Sequence, residues 1–265
     1  MACQPNTHVD HTFPLTTSSD SAAYYYQLGW QQIMDEGRFA ASGESWQKAL
    51  DFDPDFLLAK SVMARLTTDL AERKKMLQEL DAAKSQIEGP ERLVLDVYIA
   101  LAEFYNIRQE APELIQEKAK EVFALAENNL RIASHQFPED SYLKAEYIEF
   151  INSQEGAASA LDTLRALRLP VELNNPFMLG YEASLLAELG KLPEALAKAQ
   201  KLQELMKDNK QAISPLQTLG NIYTQMDSFK LAKPLIDQAY AMDSTNLGVA
   251  RLKKRIDTVL LEAKH

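Results

Sequence analysis

Residues 213–246 read ISPLQTLGNIYTQMDSFKLAKPLIDQAYAMDSTN, and this stretch decides the fold. Apolar residues recur at helical spacing, which predicts two helices, over 214–227 and 229–242. Gly220 lies in the first helix, and Ala232 and Ala239 lie seven residues apart in the second. Small residues at these positions let two antiparallel helices approach closely, while Tyr223 and Phe229 are large enough to fill the space between hairpins. Such a hairpin cannot bury its apolar face alone, so copies of it must stack.

Two further copies of this spacing occur in the chain. The copy over 23–56 is carried by Tyr26, Gly37, Phe39, Ser42, Ala49, Asp53 and Pro54. The copy over 176–209 is carried by Ala183, Gly190, Leu192, Ala195 and Leu202. In the first of these copies Trp30 stands where glycine is usual and Ser42 replaces alanine. We therefore expect a locally wider hairpin there, or a terminal repeat with an altered face.

The three copies resemble the tetratricopeptide repeat, which has a period of 34 residues. This resemblance implies an all-α fold, an α-α superhelix in which antiparallel helical hairpins form a solenoid. The final segment, 246–263, is amphipathic and is typical of the capping helix at the C-terminus of such arrays. Residues 57–175 depart from the period, and we expect non-standard hairpins of the same stack there. A generic helical bundle is the alternative.

Helix-forming segments separated by short turns continue along the whole chain, and we expect thirteen helices. They are predicted at about 20–36, 39–52, 56–66, 68–88, 90–107, 111–136, 141–154, 157–168, 177–189, 193–208, 214–227, 229–242 and 246–263. Residues 1–20 are polar, contain two prolines and lack helical periodicity. The predicted organisation is therefore a flexible lead over 1–20 and one helical-repeat domain over 21–265.

The charge balance argues against nucleic acid as a partner. The chain has 28 basic and 38 acidic residues, a net charge of -10, which gives no general attraction for phosphate backbones or anionic lipid. The basic run 251–255 lies at helical spacing, and we interpret it as a solvated helix face. No run of 18 apolar residues is present, so we expect no transmembrane segment.

No combination of residues predicts catalysis. The four histidines, His8, His11, His135 and His265, are far apart in the sequence except for the pair in the N-terminal lead. Binding a metal through His8 and His11 would require ordering that lead, which costs conformational entropy. Phosphate-binding glycine loops and nucleophile elbows are absent. We expect no enzyme activity, no cofactor and no metal site.

The resemblance implies that partners bind the concave face, which is lined mainly by the first helix of each hairpin. The residues that map to this face are Tyr24, Gln27, Gln31 and Met34 in the first copy and Gln217, Asn221, Thr224 and Gln225 in the last. Tyr24, Gln27, Gln31, Gln217, Asn221 and Thr224 are our candidate peptide-binding residues. Some members of the family hold a chaperone's terminal carboxylate with lysines and arginines on this face. The corresponding positions here are Tyr, Gln and Asn, so the resemblance does not imply such a clamp.

The aromatic run 24–26 is divided between two environments, because adjacent residues on a helix do not share a face. We expect Tyr26 and Trp30, which are four residues apart, in the core, and Tyr24 exposed. The leading functional hypothesis is a protein- or peptide-binding scaffold that acts through the concave face. The alternative is a regulatory sensor that binds a peptide or a small molecule in the groove. The identity of the partner is left open.

Cys3 is the only cysteine, so no intramolecular disulfide forms. It follows Ala2 and precedes a polar stretch, which resembles the start of a mature bacterial lipoprotein. Two interpretations stay open. Either Cys3 carries a lipid and tethers a periplasmic, membrane-anchored protein, or the cysteine is incidental and the protein is cytoplasmic.

Overall fold

The computed structural model describes residues 13–262, and every regular element in that part of the chain is helical. The α-helices are α1 (Asp20–Trp30), α2 (Phe39–Phe52), α3 (Leu57–Leu66), α4 (Leu70–Ala83), α5 (Gly89–Glu110), α6 (Ile115–Gln136), α7 (Ser141–Glu155), α8 (Ala157–Leu167), α9 (Pro176–Glu188), α10 (Leu192–Leu205), α11 (Ser214–Gln225), α12 (Phe229–Met242) and α13 (Leu247–Glu262). Short 3-10 turns lie at Lys84–Gln86, Pro112–Leu114 and Pro170–Asn174. None of these helices is both long and apolar enough to cross a bilayer.

The helices pair in chain order, as short connections require. Hairpins form from α1 with α2, α3 with α4, α5 with α6, α7 with α8, α9 with α10 and α11 with α12, and α13 packs on the last of them. The segment 57–175 forms three of these hairpins without interrupting the stack. The all-α architecture predicted from the sequence, an array of antiparallel hairpins ending in a capping helix, is therefore confirmed.

The small residues of the repeat lie at tight helix contacts. Ala232 and Ala239 on α12 have no exposed surface. A Cβ atom at Gly220 on α11 would lie 2.5 Å from Cδ1 of Ile236 on α12. Tyr26 and Trp30 are also buried, with exposed fractions of 4% and 6%. The spacing of small and large residues in the sequence thus reports the packing within each hairpin.

The first hairpin is not wider than the others, which corrects our expectation. Its close contact is made by Gly29, one residue before Trp30, and a Cβ atom at Gly29 would lie 2.4 Å from Nε1 of Trp46. A π-helical turn at Gln31–Asp35 follows α1. A π turn accommodates one residue more than an α turn. The glycine of the repeat is therefore present, and the π turn absorbs one additional residue between it and Phe39.

The end of the N-terminal lead packs against the helices. Phe13 is only 6% exposed, and its ring meets that of Phe137 edge to face with centroids 5.3 Å apart. The backbone N–H of Thr16 donates to Oε2 of Glu91 at 2.8 Å, and the hydroxyl of Thr17 donates to Asp53 at 2.5 Å. Of the lead that we expected to be flexible over 1–20, residues 13–19 thus lie in fixed contact with α5, α6 and the α2–α3 turn.

The first hairpin also reaches the far end of the array. The carbonyl oxygen of Glu36 accepts hydrogen bonds from the N–H groups of Ile213 and Ser214, at 2.7 and 3.0 Å. The N–H of Ala40 donates to Oδ2 of Asp243 at 2.9 Å, so Asp243 caps the start of α2 from a position 203 residues away. We call the hydrogen bonds between residues 35–40 and residues 209–246 the closing seam.

Further members of the closing seam come from side chains. Nδ2 of Asn246 donates to the carbonyl of Gly37 at 3.1 Å, and the hydroxyl of Ser214 donates to the carbonyl of Asp35 at 2.6 Å. Nδ2 of Asn209 donates to Oε1 of Glu36 at 3.0 Å. The superhelix therefore closes on itself and encloses a space at its centre.

Candidate binding cavity

A cavity of about 700 Å³ occupies the concave centre of the array. The inner faces of α3, α5, α7, α9, α11 and α13 line it, together with the π turn and the start of α2. Clefts that bind small ligands typically enclose about 300–1,000 Å³. The closing seam explains why the concave face forms a bounded cavity here, because residues 33–39 lie across one side of it.

Aromatic side chains form the apolar part of the wall. Phe177 and Tyr181 on α9 stack with centroids 5.3 Å apart, and Trp30 and Tyr105 line the cavity from α1 and α5. Trp30 is itself held edge to face against Trp46, with centroids 5.3 Å apart. Rings fixed in this way offer apolar contact area to a ligand at little cost in side-chain entropy.

A partly buried ion pair supports the wall between α3 and α7. Nη1 of Arg65 donates to Oε1 of Glu146 at 2.9 Å, and the hydroxyl of Tyr98 donates to Oε2 of the same carboxylate. The guanidinium of Arg65 also lies over the ring of Tyr98, 4.5 Å from its centroid. Both oxygens of Glu146 are thus occupied, and this pair positions side chains around the cavity.

Glu149 lies three residues further along α7 and faces the cavity. Its side chain is exposed, although the surrounding protein desolvates its carboxyl group. Burial raises the pKa of Glu149 to about 7, the neighbouring Glu146 charge adds to the rise, and Arg65 opposes it. Near neutral pH the carboxyl group is therefore divided between its charged and neutral forms.

Two arginines on the capping helix complete the wall. Arg251 and Arg255 on α13 both line the cavity. From the sequence we interpreted the run 251–255 as a solvated face, and both arginines are exposed, on the face of α13 that borders the cavity.

The predicted groove residues divide into two groups. Gln217 and Asn221 on α11, and Met34 in the π turn, line the cavity. Gln217 is also engaged locally, since its Oε1 accepts from Nδ2 of Asn246 at 3.0 Å. Thr224 has no exposed surface, and its hydroxyl donates to the carbonyl of Gly220 at 2.7 Å within α11.

The other predicted residues lie outside this cavity. Tyr24 is 62% exposed and meets the ring of Tyr25 edge to face. Gln31 is exposed on the π turn, and Gln225 is partly buried near the end of α11. Gln27 lines a smaller cavity of about 350 Å³ beside Phe13 and Tyr142. Of our candidate residues, Gln217 and Asn221 thus lie together at the central cavity, whereas Tyr24, Gln27 and Gln31 lie outside it.

Sequence reasoning did not find the role of Asp35, the acidic residue that ends the π turn, which we call the acidic turn. It also did not find that charged side chains line the cavity. Asp35 accepts from the hydroxyl of Tyr142 at 3.0 Å and from the N–H of Phe177 at 3.3 Å, at the starts of α7 and α9. Helix N-termini favour a negative charge, yet burial raises the pKa of Asp35 to about 6 against these two hydrogen bonds. Among residues 13–262, no group of three His, Cys, Asp or Glu side chains is arranged to hold a metal ion. Cys3, His8 and His11 lie outside the described residues.

Fold and cavity together define a class of protein: a closed all-α superhelix of antiparallel hairpins, tetratricopeptide-like in architecture, with a central cavity walled by its inner helices. No protein-family model matches the sequence. No curated protein matches it significantly. Among solved structures, it is similar to a thermophilic TPR protein of Thermus thermophilus, with 18% sequence identity and a TM-score of 0.48 over 77% of this chain and 98% of that one. At this level of similarity the description of the fold rests on the chain's own helices.

Proposed function

We propose that this protein is an interaction module that binds a short peptide segment of a partner protein in its central cavity. The observation that carries the proposal is the cavity wall. Six successive inner helices contribute to it, and it combines fixed aromatic rings, side-chain amides and charged groups. Ligand sites in proteins have this composition, a mainly apolar wall with a few placed polar groups. The proposal concerns binding alone and assigns no reaction to the chain.

The size of the cavity limits what can enter. A volume of about 700 Å³ accommodates a few residues of a peptide. The side-chain amide of Asn221 offers both a donor and an acceptor to a peptide backbone, and Phe177 and Tyr181 offer apolar surface. Gln217 and Asn221 therefore belong to the proposed site, whereas Tyr24, Gln27, Gln31 and Thr224 do not.

A second function has one observation in its favour. The closing seam bounds the concave face, and a bounded cavity suits a sensor that encloses a peptide or small molecule better than an open groove does. In such a sensor, ligand binding would be coupled to opening or tightening of the seam. The two functions differ in one measurable respect. A sensor changes hydrogen exchange at the seam amides of Ala40 and Ile213, which do not line the cavity, when the ligand binds, and a simple scaffold does not.

Selection of binders from a displayed library of random heptapeptides tests the main proposal. Selected peptides are expected to lose binding to Ser184→Trp, because Ser184 lines the cavity on α9 and an indole there projects into the space that the peptide would occupy. Ser153→Trp is the matched control, because Ser153 is exposed on α7 outside the cavity. Both serine hydroxyls bond to a carbonyl of their own helix, so each variant loses a comparable contact.

Two single substitutions refine this test. Asn221→Ala is expected to weaken binding of the selected peptides by about tenfold, the usual effect of removing one good hydrogen-bonding residue at a binding site. Tyr24→Ala is expected to leave binding unchanged, since its side chain lies outside the cavity. If the library yields no peptide that Ser184→Trp blocks, the proposed function is wrong.

A further inference from the structure

The two arginines of the capping helix differ from the other charged groups of the cavity. Arg251 and Arg255 are four residues apart on α13, so their side chains share one face of the helix, and both line the cavity. Within residues 13–262, no carboxylate oxygen lies within 4.0 Å of either guanidinium group. The third arginine of the wall, Arg65, is already paired with Glu146.

The lysines between these arginines have a different environment. Lys253 pairs with Asp237 and Asp257, on the side of α13 that packs against α12, and Lys233 joins the same network. Lys254 is exposed and does not line the cavity. In the basic run 251–255, the two arginines therefore line the cavity. Lys253 is neutralised by carboxylates on the opposite side of α13, and Lys254 is solvated.

The charge of the cavity contrasts with that of the molecule. The chain has a net charge of -10, which gives it no general attraction for anions. In the cavity, Glu146 is neutralised by Arg65, and Glu149 lines the wall from α7, a helix outside the main packing contacts of α13. A negatively charged group that enters is thus attracted at α13 and repelled at α7, so the cavity favours one orientation of an anionic ligand.

We infer that the segment bound in the cavity is acidic and that its carboxylate pairs with Arg251 and Arg255. This inference rests on the proposed function and adds the chemistry of the ligand to it. Guanidinium groups bind carboxylates through two parallel N–H···O bonds, and a pair of arginines one helical turn apart can hold one or two such groups. The apolar part of the segment then lies against Phe177 and Tyr181.

Library selection on the full-length protein tests this inference directly. Peptides selected by the wild type and blocked by Ser184→Trp are expected to be enriched in Asp and Glu. The double variant Arg251→Ala with Arg255→Ala should weaken their binding by about tenfold to a hundredfold, the range for charge-assisted hydrogen bonds. Lys254→Ala is the matched control and should change binding by less than about twofold, since Lys254 does not line the cavity and an exposed charge acts weakly through solvent.

Three further measurements make the result specific. Arg251→Lys with Arg255→Lys should restore part of the affinity, because charge is kept while the two-bond geometry is lost. Replacing Asp and Glu of a selected peptide by Asn and Gln should weaken binding as much as the double alanine variant does. Amidating the peptide's C-terminus instead tells whether the carboxylate is that of a side chain or of the chain end.

The outcomes separate the two proposals. Cavity-blocked peptides without acidic enrichment, or acidic peptides that bind the double alanine variant as well as the wild type, overturn the inference and leave the proposed function standing. A library without any cavity-blocked peptide overturns both.

Discussion

Ala232 shows at the scale of one residue how the hairpins are held together. It has no exposed surface on the inner side of α12, while Ala241 on the same helix is exposed. Ala232→Leu is expected to overpack the contact with α11 and to lower the free energy of unfolding by about 1–3 kcal/mol. Ala241→Leu, the matched control, should change it by less than about 0.5 kcal/mol. Urea denaturation of both variants measures the difference, and equal stabilities would show that Ala232 is not a packing constraint.

Asp35 links stability to pH. Its pKa is raised from 3.8 to about 6 by burial, so the folded chain binds the proton more tightly than the unfolded chain does. The free energy of unfolding should therefore rise as pH falls from 7.5 to 5, and Asp35 should contribute about 1–2 kcal/mol of that rise after solvent screening. Asp35→Asn should remove this contribution, which denaturation at the two pH values measures.

A matched control isolates Asp35 from the other carboxyl groups. Asp55→Asn removes one exposed aspartate in the α2–α3 turn and should preserve the wild-type pH response. A pH response in Asp35→Asn equal to that of the wild type would mean that the hydrogen bonds from Tyr142 and Phe177 hold this carboxyl group charged without cost.

The residue types in the basic run 251–255 do not show which of its side chains line the cavity. Arg251, Lys253, Lys254 and Arg255 look alike in the sequence, because an amphipathic pattern tells which face of a helix is polar but not what that face meets. Water outside the molecule and water inside a recess give the same pattern. Only the position of α13 in the closed array separates the arginines from the lysines.

At the scale of the elements, all thirteen helices could be predicted, because their apolar periodicity and punctuation are local properties of the sequence. The π turn could not. There is one additional residue between Gly29 and Phe39, so aligning the repeats places Trp30 at the position where glycine is usual. The spacing of residues in a sequence does not show where the i to i+5 hydrogen bonds of a π turn will form. The packed segment 13–19 was missed for a related reason, as Phe13 and Leu15 are too few to show a period.

Deleting Gln31 tests the role of the π turn. The shorter segment can form a regular α turn, but the deletion rotates α1 by about 100° relative to residues 35–38. Either Trp30 leaves the core or the acidic turn leaves the starts of α7 and α9, so we expect a loss of roughly 2–4 kcal/mol of stability. Gln31→Ala keeps the length of the chain and, because Gln31 is exposed, should be nearly neutral.

Thermal denaturation followed by circular dichroism compares the two changes. A deletion variant as stable as Gln31→Ala would indicate that the π turn is only a tolerated irregularity. The comparison needs no ligand and is therefore independent of both proposals.

At the scale of the whole molecule, closure couples the two ends of the array. Both tryptophans, Trp30 and Trp46, lie in the first hairpin, so their fluorescence reports that end while circular dichroism reports every helix. In the wild type the two signals should change at the same urea concentration. The double variant Asn209→Ala with Ser214→Ala removes two hydrogen bonds of the closing seam. In this variant the urea midpoint measured by fluorescence should fall below the midpoint measured by circular dichroism, because the first hairpin can then unfold separately.

Ser153→Ala serves as the control, since it removes a serine hydroxyl bonded only within its own helix. Coincident midpoints in the seam variant would show that the ends are coupled through the stack alone. Closure itself was beyond sequence analysis, because it depends on small rotations between neighbouring hairpins that accumulate along the array and leave no local signal.

The closing seam also bears on how such a protein can evolve. Its hydrogen bonds join positions that lie 173 to 209 residues apart. In an open solenoid each repeat touches only its neighbours, so a gene can gain or lose a repeat and still encode a folded protein. Here an inserted hairpin would carry Ser214, Asp243 and Asn246 past the first hairpin, and a lost hairpin would leave them short of it. We therefore expect related sequences to vary by substitution within a fixed number of hairpins and not by duplication or deletion of repeats.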